Sequence, residues 1–220
     1  STNSNFDRKN PYQIGGEIFG CKNKNHDIEV ICLMIDTIML TGQKSFLVEI
    51  GDVSIINKYI SLLSLNRIDK LKLIAMINSK NLDEIQTFLK YHKVSNTKIE
   101  FLSELINING GLECIKEIKS LLKRSKIDDK KTLSDLVHIA KKILSKYKSV
   151  NVNIDMSNLY NFDYQTSLSF SVFVSNFRKA IATGGRYIAY TKNKKERLAS
   201  GFSLDLKDLY FLIKEGSINV

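Results

Sequence analysis

The sequence predicts an α+β fold in which an antiparallel sheet carries helices grouped on one side. Apolar residues alternate with polar ones near both ends of the chain, as they do in strands, but recur at helical spacing in the middle. Strands that flank a helical segment are typical of this layered arrangement. We therefore expect one domain over residues 1–220, with a helical insertion at about 53–148.

The first elements follow from short-range patterns. Residues 11–20 are predicted to be extended and to lead into a glycine-rich turn. A helix is predicted from His26 to Leu40, because apolar side chains recur there at helical spacing and Gly42 is a natural C-terminal stop. The segment Ser45–Ile50 alternates as a strand and is closed by Gly51.

The middle of the chain contains apolar stripes at helical spacing. One helix is predicted after Asn81, whose side chain suits an N-terminal cap, and another over Leu112–Leu122. The segment Thr132–Asp135 is predicted to open a third helix with one apolar side. These stripes indicate that residues 53–148 are mostly helical.

The last third of the chain changes to the period of strands. Strands are predicted over Val150–Ile154, Leu168–Val174, Ile181–Tyr187 and Leu198–Leu204, followed by a short helix over Lys207–Lys214. Closely spaced strands of this kind favour antiparallel pairing, since neighbours can be joined by short turns.

Composition excludes several classes of protein. Hydrophobic residues make up 43% of the chain, which is enough for a packed core. No apolar run approaches the roughly 18–20 residues of a membrane span, and Ser1–Asn10 contains no signal-peptide pattern. We expect a cytoplasmic protein without membrane segments.

The cysteines and histidines do not indicate a metal or disulfide framework. Cys21, Cys32 and Cys114 are odd in number and lack CxxC spacing. The three histidines lie far apart in the sequence, without a ligand-spaced pair. We therefore expect reduced thiols, and neither a metal nor a cofactor.

The formal net charge of +10 has two interpretations. It could attract nucleic acid or an acidic partner, or it could reflect lysines spread over solvated helix surfaces. Lysines occur throughout the chain, and the densest run, Lys192–Arg197, lies between two apolar segments. This dispersal favours the second interpretation, so we expect no nucleic-acid partner.

Four short segments resemble, in order and spacing, four segments of the catalytic domain of histidyl-tRNA synthetases. They are Tyr12–Gly20, Leu159–Ser167, Gly184–Tyr187 and Gly201–Leu206. The family counterparts are the second strand of motif 2, the histidine-specific segment, a Gly-Gly-Arg-Tyr segment and motif 3. The resemblance covers residues 11–210 and implies the class II aminoacyl-tRNA synthetase fold.

The same resemblance implies an amino-acid pocket. Gln13 and Glu17 match the pair that receives the ammonium group of histidine, and even spacing on a strand would put both on one face. Tyr164, Gln165 and Tyr187 match positions that line the imidazole, with Gln165 in place of the second of two tyrosines.

Each of these residues also has a purely structural interpretation. Gln13 and Glu17 could be surface residues of an edge strand, and Tyr187 could be a core aromatic residue with a solvated hydroxyl. The two glycines of Gly184–Tyr187 could form a turn or bulge, and Arg186 could serve as an ion-pair partner.

Departures from the synthetase pattern change the expected function. A synthetase uses arginines to hold ATP phosphates, but Tyr160 and the segment Asp205–Lys207 stand at the two expected positions. The chain also begins inside motif 2, without motif 1, which supplies the family's dimer interface. It ends without an anticodon-binding domain.

These features resemble the non-catalytic regulatory subunits of short-form ATP phosphoribosyltransferase. The resemblance implies a homodimer within a hetero-oligomer that activates the short catalytic subunit in histidine biosynthesis, with histidine as a ligand and feedback inhibitor. Two alternatives remain: a divergent or truncated histidyl-tRNA synthetase, and a synthetase-derived module that binds tRNA.

Overall fold

A computed structural model describes residues 12–21, 23–127, 129–159, 165–175 and 177–218. No helix within these ranges is both long and apolar enough to cross a membrane. In chain order the elements are β1 (Gln13–Phe19), α1 (Lys24–Met39), β2 (Phe46–Asp52), α2 (Val53–Ser61), α3 (Arg67–Asn78), α4 (Leu82–Tyr91), α5 (Asn96–Asn107), β3 (Asn109–Gly110), α6 (Cys114–Arg124), α7 (Lys130–Lys146), β4 (Val150–Asp155), β5 (Gln165–Phe173), β6 (Ala182–Tyr190), β7 (Glu196–Asp205) and α8 (Leu206–Ile218).

The strands form one sheet in the order β1-β7-β6-β5-β2-β4-β3. Its neighbours pair antiparallel, as predicted, except β2 and β4, which are parallel. The parallel pair arises because the chain leaves β2, runs through the middle helices and returns beside β2 in the same direction. Parallel neighbours require such a crossover connection.

Helices α2 to α7 and the short strand β3 occupy the chain between β2 and β4. Asn81 caps α4 as predicted: its Oδ1 accepts from the backbone N of Glu84 at 3.3 Å, and its Nδ2 donates to the Glu84 carboxylate at 2.9 Å. The third predicted helix, α7, begins at Lys130, slightly before Thr132. Helices α2 and α7 pack against strands, and α3 to α6 follow one another beside them.

One face of the sheet is apolar and covered by helices. Directly paired residues point to the same face, and the pairs Ile50–Phe170 and Val48–Val172 are completely buried. At Gly16, a Cβ atom would lie 3.1 Å from the Leu33 side chain of α1, which places α1 against this face. The sheet and the middle helices share one hydrophobic cluster.

The opposite face carries small and polar residues, and its two halves differ. Over β2 and β5 it is covered by the segment after β4: Ser169 Oγ donates to the Asn158 carbonyl at 2.7 Å. The Asn158 amide in turn donates to the Glu49 carboxylate at 3.1 Å and to Ser171 Oγ at 3.3 Å. Over β1, β7 and β6 this face forms a cleft.

Candidate functional site

The cleft over β1, β7, β6 and the start of β5 has a volume of about 240 Å³. Its lining residues are Glu17, Gln165, Thr183, Gly184, Gly185, Tyr187, Gly201, Phe202 and Ser203. Three of the five residues predicted from the sequence, Glu17, Gln165 and Tyr187, are therefore brought together.

Glycines give the cleft its depth. A Cβ atom at Gly185 would lie 2.5 Å from Gln165 Nε2 and 2.6 Å from the Leu168 carbonyl oxygen. A Cβ atom at Gly201 would lie 2.8 Å from Glu17 Cγ. Gly184 and Gly185 lie within β6, so the interpretation of this pair as a turn is wrong. The irregularity in the pairing of β5 with β6 lies in β5, between Gln165 and Ser169.

Glu17 and Tyr187 interact inside the cleft. The Tyr187 hydroxyl and the Glu17 carboxylate line the same cavity and influence each other. Burial raises the pKa of Tyr187 to about 12, and the neighbouring Glu17 carboxylate adds to the shift. Tyr187 therefore remains neutral at physiological pH. The carboxylate oxygens of Glu17, on the exposed strand β1, are available to a cationic group.

Gln165 closes the other side of the cleft. It pairs with Tyr187 across the β5–β6 ladder and is 7% exposed. Its Nε2 donates to the Gly184 carbonyl at 2.9 Å. Its Oε1 is buried and has no hydrogen-bond partner.

Gln13 lies outside this cleft. It lines an adjoining cavity of about 320 Å³ with Lys179, Ala180, Ile181, Ala182, Thr183, Ser203, Leu204, Asp205 and Asp208. The two cavities share Thr183 and Ser203. Because strands rise about 3.3 Å per residue, the backbones of Gln13 and Glu17 are about 13 Å apart. Tyr164, the fifth predicted site residue, and Tyr160 lie outside the described residues.

Arg186, next to Tyr187, points to the opposite face of the sheet. Its Nε donates to Asp27 Oδ1 at 3.2 Å, and its Nη2 donates to Asp27 Oδ2 at 2.5 Å and to the Asn23 carbonyl at 2.9 Å. Burial raises the pKa of Asp27 although Arg186 opposes the shift. The interpretation of Arg186 as an ion-pair partner is confirmed.

The acidic residues near Gln13 also have identifiable partners. Asp205 Oδ1 accepts a hydrogen bond from the backbone N of Lys207 at 2.9 Å, in the first turn of α8. Asp208 pairs with Lys179 at 2.7 Å. The described residues lining the two cavities include no arginine, and their one lysine, Lys179, is held by this pair.

A third cavity, of about 450 Å³, lies behind the sheet near the starts of α1, α2 and α7. Its charged groups are largely paired with one another: Arg186 with Asp27, and Lys24 with Asp135 at 2.8 Å. Across the described ranges, no group of three or more histidine, cysteine or acidic side chains is arranged to hold a metal ion. The three cysteines are free thiols.

Sequence reasoning missed Thr183 and Ser203, which join the two cavities. They pair directly with each other, and Ser203 pairs with Gly15 of β1. Their alternation with apolar residues was visible in the sequence, but their position opposite β1 depends on the strand order. Only the pairing register of β1 with β7 would have shown that Thr183 and Ser203 lie between Gln13 and Glu17 on the cleft face.

Comparisons with known proteins find relatives of this chain by sequence and by fold. The model of the family described as histidyl-tRNA synthetase matches residues 1–209. An ATP phosphoribosyltransferase regulatory subunit of Pseudomonas entomophila is 31% identical over 205 residues, which cover 93% of this chain and 51% of that protein. The chain spans about half the length of the curated relatives it matches.

Solved structures show the same fold. A Bacillus halodurans C protein, described as an ATP phosphoribosyltransferase regulatory subunit/histidyl-tRNA synthetase, matches with a TM-score of 0.75 and 23% identity, over 91% of this chain and 53% of that one. A chain of an ATP phosphoribosyl transferase complex from Thermotoga maritima matches with a TM-score of 0.68 and 19% identity, over 89% of this chain and 66% of that one.

Proposed function

We propose that this chain, which belongs to the histidyl-tRNA synthetase family, forms part of a non-catalytic regulatory subunit of ATP phosphoribosyltransferase in histidine biosynthesis. It binds the short catalytic subunit in the cytoplasm, activates it and contributes to feedback inhibition by histidine. The observation that carries the proposal is a cleft that brings Glu17, Gln165 and Tyr187 together, while the described lining of this cleft and of the adjoining cavity has no free cationic side chain.

Adenylate formation needs positive charge at the cleft. A synthetase holds the ATP phosphates and stabilises the developing charge with arginines, because bidentate, preorganised donors suit phosphate oxygens. Here Arg186 is committed to Asp27 on the other face, and Lys179 is committed to Asp208. The segment Asp205–Lys207 stands where the synthetase pattern has an arginine, and the Asp205 carboxylate in this segment disfavours a polyphosphate.

Amino-acid recognition needs different groups, and these are retained. The Glu17 carboxylate can accept hydrogen bonds from an ammonium group, and Tyr187 lines the same cavity. Gln165 and Tyr187 line the space proposed for a side chain. Gln13 and Tyr164 are proposed, from the family resemblance, to contact the same ligand. We expect histidine as that ligand.

The proposed assembly draws on the names of the relatives. Several curated proteins similar to this chain are called regulatory subunits, and one structure of the same fold is a chain of an ATP phosphoribosyl transferase complex. We propose the short catalytic subunit as partner and a homodimer of regulatory subunits within the hetero-oligomer.

The test combines a binding and an activity measurement. The chain is mixed with its cognate catalytic subunit, and co-purification, phosphoribosyltransferase rate and histidine inhibition are measured. We expect association and a changed rate; absence of both would overturn the proposal. Glu17→Ala should weaken histidine inhibition about 10- to 150-fold, as loss of a hydrogen bond to a charged group costs about 1.5–3 kcal/mol. It should leave association intact. Glu100→Ala, exposed on α5, is the control.

A second assay separates the synthetase alternative. Histidine-dependent pyrophosphate exchange should be undetectable. Measurable exchange would favour a divergent synthetase, an alternative that is consistent with the match to the family model. A salt-dependent gel shift with tRNA tests the third alternative, a tRNA-binding module.

A further inference from the structure

A cavity of about 320 Å³ lies between α6 and α7, in the helical segment of the chain. None of its described lining residues belongs to the cavities at the sheet. Its wall combines one carboxylate, several lysines and apolar side chains. The volume lies at the lower end of the range of ligand pockets, so a small molecule suits it.

Asp129 brings a buried carboxylate to the wall of this cavity. It is 6% exposed and stands at the N-cap position of α7, yet its side chain accepts no hydrogen bond from the helix backbone. Its Oδ1 pairs with Lys58 and accepts from Thr132 Oγ1 at 3.4 Å, whereas its Oδ2 has no hydrogen-bond partner. Because buried polar atoms are nearly always paired, an unpaired one in the wall of a cavity indicates a donor that binds there.

The charge around Asp129 favours a cationic donor. Asp52, which caps α2, is a second buried carboxylate nearby: burial raises its pKa, Ser54 opposes the shift and Asp129 adds to it. Lys58 pairs with Asp129 and also acts on Asp52. When all are ionised, two carboxylates and one ammonium group leave a net charge of −1. A positively charged group of a ligand would balance this charge.

The exposed part of the cavity has the opposite charge. Lys119, Lys123 and Lys126 line it and are exposed. In the described part of the chain, none of the three forms an ion pair with an acidic side chain. A group of lysines of this kind attracts a carboxylate, although each exposed pair contributes little by itself.

Apolar side chains lie between the two charged regions. Leu122 is 2% exposed and Leu133 is 5% exposed, and Ile127 packs against the same hydrophobic cluster. All three line the cavity. An aliphatic group that leaves water to contact them is stabilised by the hydrophobic effect.

We propose that this cavity binds a free apolar α-amino acid in its zwitterionic form. The ammonium group donates to Asp129 Oδ2, the carboxylate faces the lysines, and the side chain packs on Leu122 and Leu133. An acidic segment of a partner protein would satisfy the lysines but would bring no cation to Asp129. The site is separate from the cleft at Glu17, so the inference does not rest on the proposed function.

The experiment compares leucine with two truncated analogues in NMR titrations of the chain. 4-Methylpentanoate lacks the ammonium group, and 3-methylbutylamine lacks the carboxylate. We expect leucine to shift the methyl signals of Leu122 and Leu133, with a Kd of about 1 mM or lower. Methylpentanoate should bind about tenfold or more weakly, because it leaves Asp129 Oδ2 unpaired. Methylbutylamine should bind about threefold or more weakly, because exposed charges contribute less.

Two variants test the charged parts of the wall. Asp129→Asn keeps the size of the side chain and removes its charge, so the preference for leucine over methylpentanoate should fall to about threefold or less. The double variant Lys119→Gln/Lys123→Gln should weaken leucine binding about two- to tenfold and leave methylbutylamine binding unchanged. Lys116→Gln, exposed on α6 and outside the cavity lining, is the matched control and should change neither. The analogue series needs no variant, so the test stands if Asp129→Asn fails to fold.

The outcomes are decisive for the site and separate from the regulatory proposal. Absence of leucine binding at about 10 mM, equal binding of all three ligands, or a full preference for leucine in Asp129→Asn would overturn the site. Loss of leucine binding in Glu17→Ala would place the ligand in the cleft and would also overturn it. Each of these results leaves the regulatory function standing, because that function is tested with histidine and the catalytic subunit.

Discussion

The two faces of the sheet are built from the same strands but meet different demands. In β6, Arg186 turns to the helix-covered face and pairs with Asp27, whereas the adjacent Tyr187 turns to the cleft and contacts Glu17. Because successive side chains of a strand point to opposite faces, a single residue step separates a structural ion pair from a proposed ligand contact.

Packing separates the faces as clearly as polarity does. On the covered face Phe170 is completely buried and fills the space over Gly184. On the cleft face Gly185 and Gly201 leave room, and Thr183 and Ser203 supply small polar groups. The covered face is therefore expected to determine stability, and the cleft face to determine what binds.

The largest effect on stability is expected from a substitution on the covered face. Phe170→Ala should lower the free energy of unfolding by about 3–5 kcal/mol, because it leaves a cavity in a close-packed core. Thr183→Ala, on the cleft face, should change it by less than about 1 kcal/mol. Urea unfolding of both variants measures the difference. Equal losses would contradict the division of roles between the faces.

The sequence predicted the covered face better than the cleft. Alternation in β5 placed Phe170 and Val172 on one side, and an N-cap rule placed Asn81, because both patterns depend on near neighbours. The parallel pairing of β2 with β4 depends on a long crossover, which no local pattern records. The distance between Gln13 and Glu17 follows from the rise of a strand. Their location in different cavities depends on which residues of β7 lie opposite them, Asp205 and Gly201, and the sequence does not give this pairing.

Gln165 and Asp205 illustrate what resemblance alone could not supply. Both were recognised as departures from the synthetase pattern. The structure shows what each side chain contacts. Gln165 bonds to the Gly184 carbonyl of the neighbouring strand, and Asp205 accepts from the first turn of α8. A substitution in a family motif therefore acquires its meaning from the atoms that the new side chain contacts.

A smaller effect concerns the covered half of the polar face. Burial raises the pKa of Glu49 from 4.5 to about 7, nearby Asp155 adds to the shift, and Lys80 and Asn158 oppose it. A carboxyl group whose folded pKa is raised stabilises the fold below its unfolded pKa, and this contribution is lost as the pH rises from about 4.5 to about 7. Glu49 should therefore disfavour folding at pH 8.

Glu49→Gln removes this titration and keeps an oxygen for the Asn158 amide. The variant should be about 1–3 kcal/mol more stable than the parent at pH 8 and nearly equal at pH 4. Chemical unfolding at both pH values measures this, with Glu100→Gln on α5 as the control. A variant that is less stable than the parent at pH 8 would show that the Glu49 charge stabilises the fold, and would contradict the expected cost of burying this charge.

The smallest expected effect is at Asp205, where the cleft face meets α8. Asp205 caps the start of α8. Asp205→Asn should therefore change the free energy of unfolding by only about a few tenths of a kcal/mol, because Asn and Asp cap a helix about equally well. Asp205→Ala removes the cap and should lower the free energy of unfolding by about 1 kcal/mol. Neither change should alter histidine affinity more than about twofold, because the Asp205 carboxylate accepts from the backbone N of Lys207 and is engaged by α8. Thermal unfolding and calorimetry on the same samples measure both quantities. A loss of histidine affinity in both variants with little loss of stability would instead assign Asp205 to the proposed ligand site.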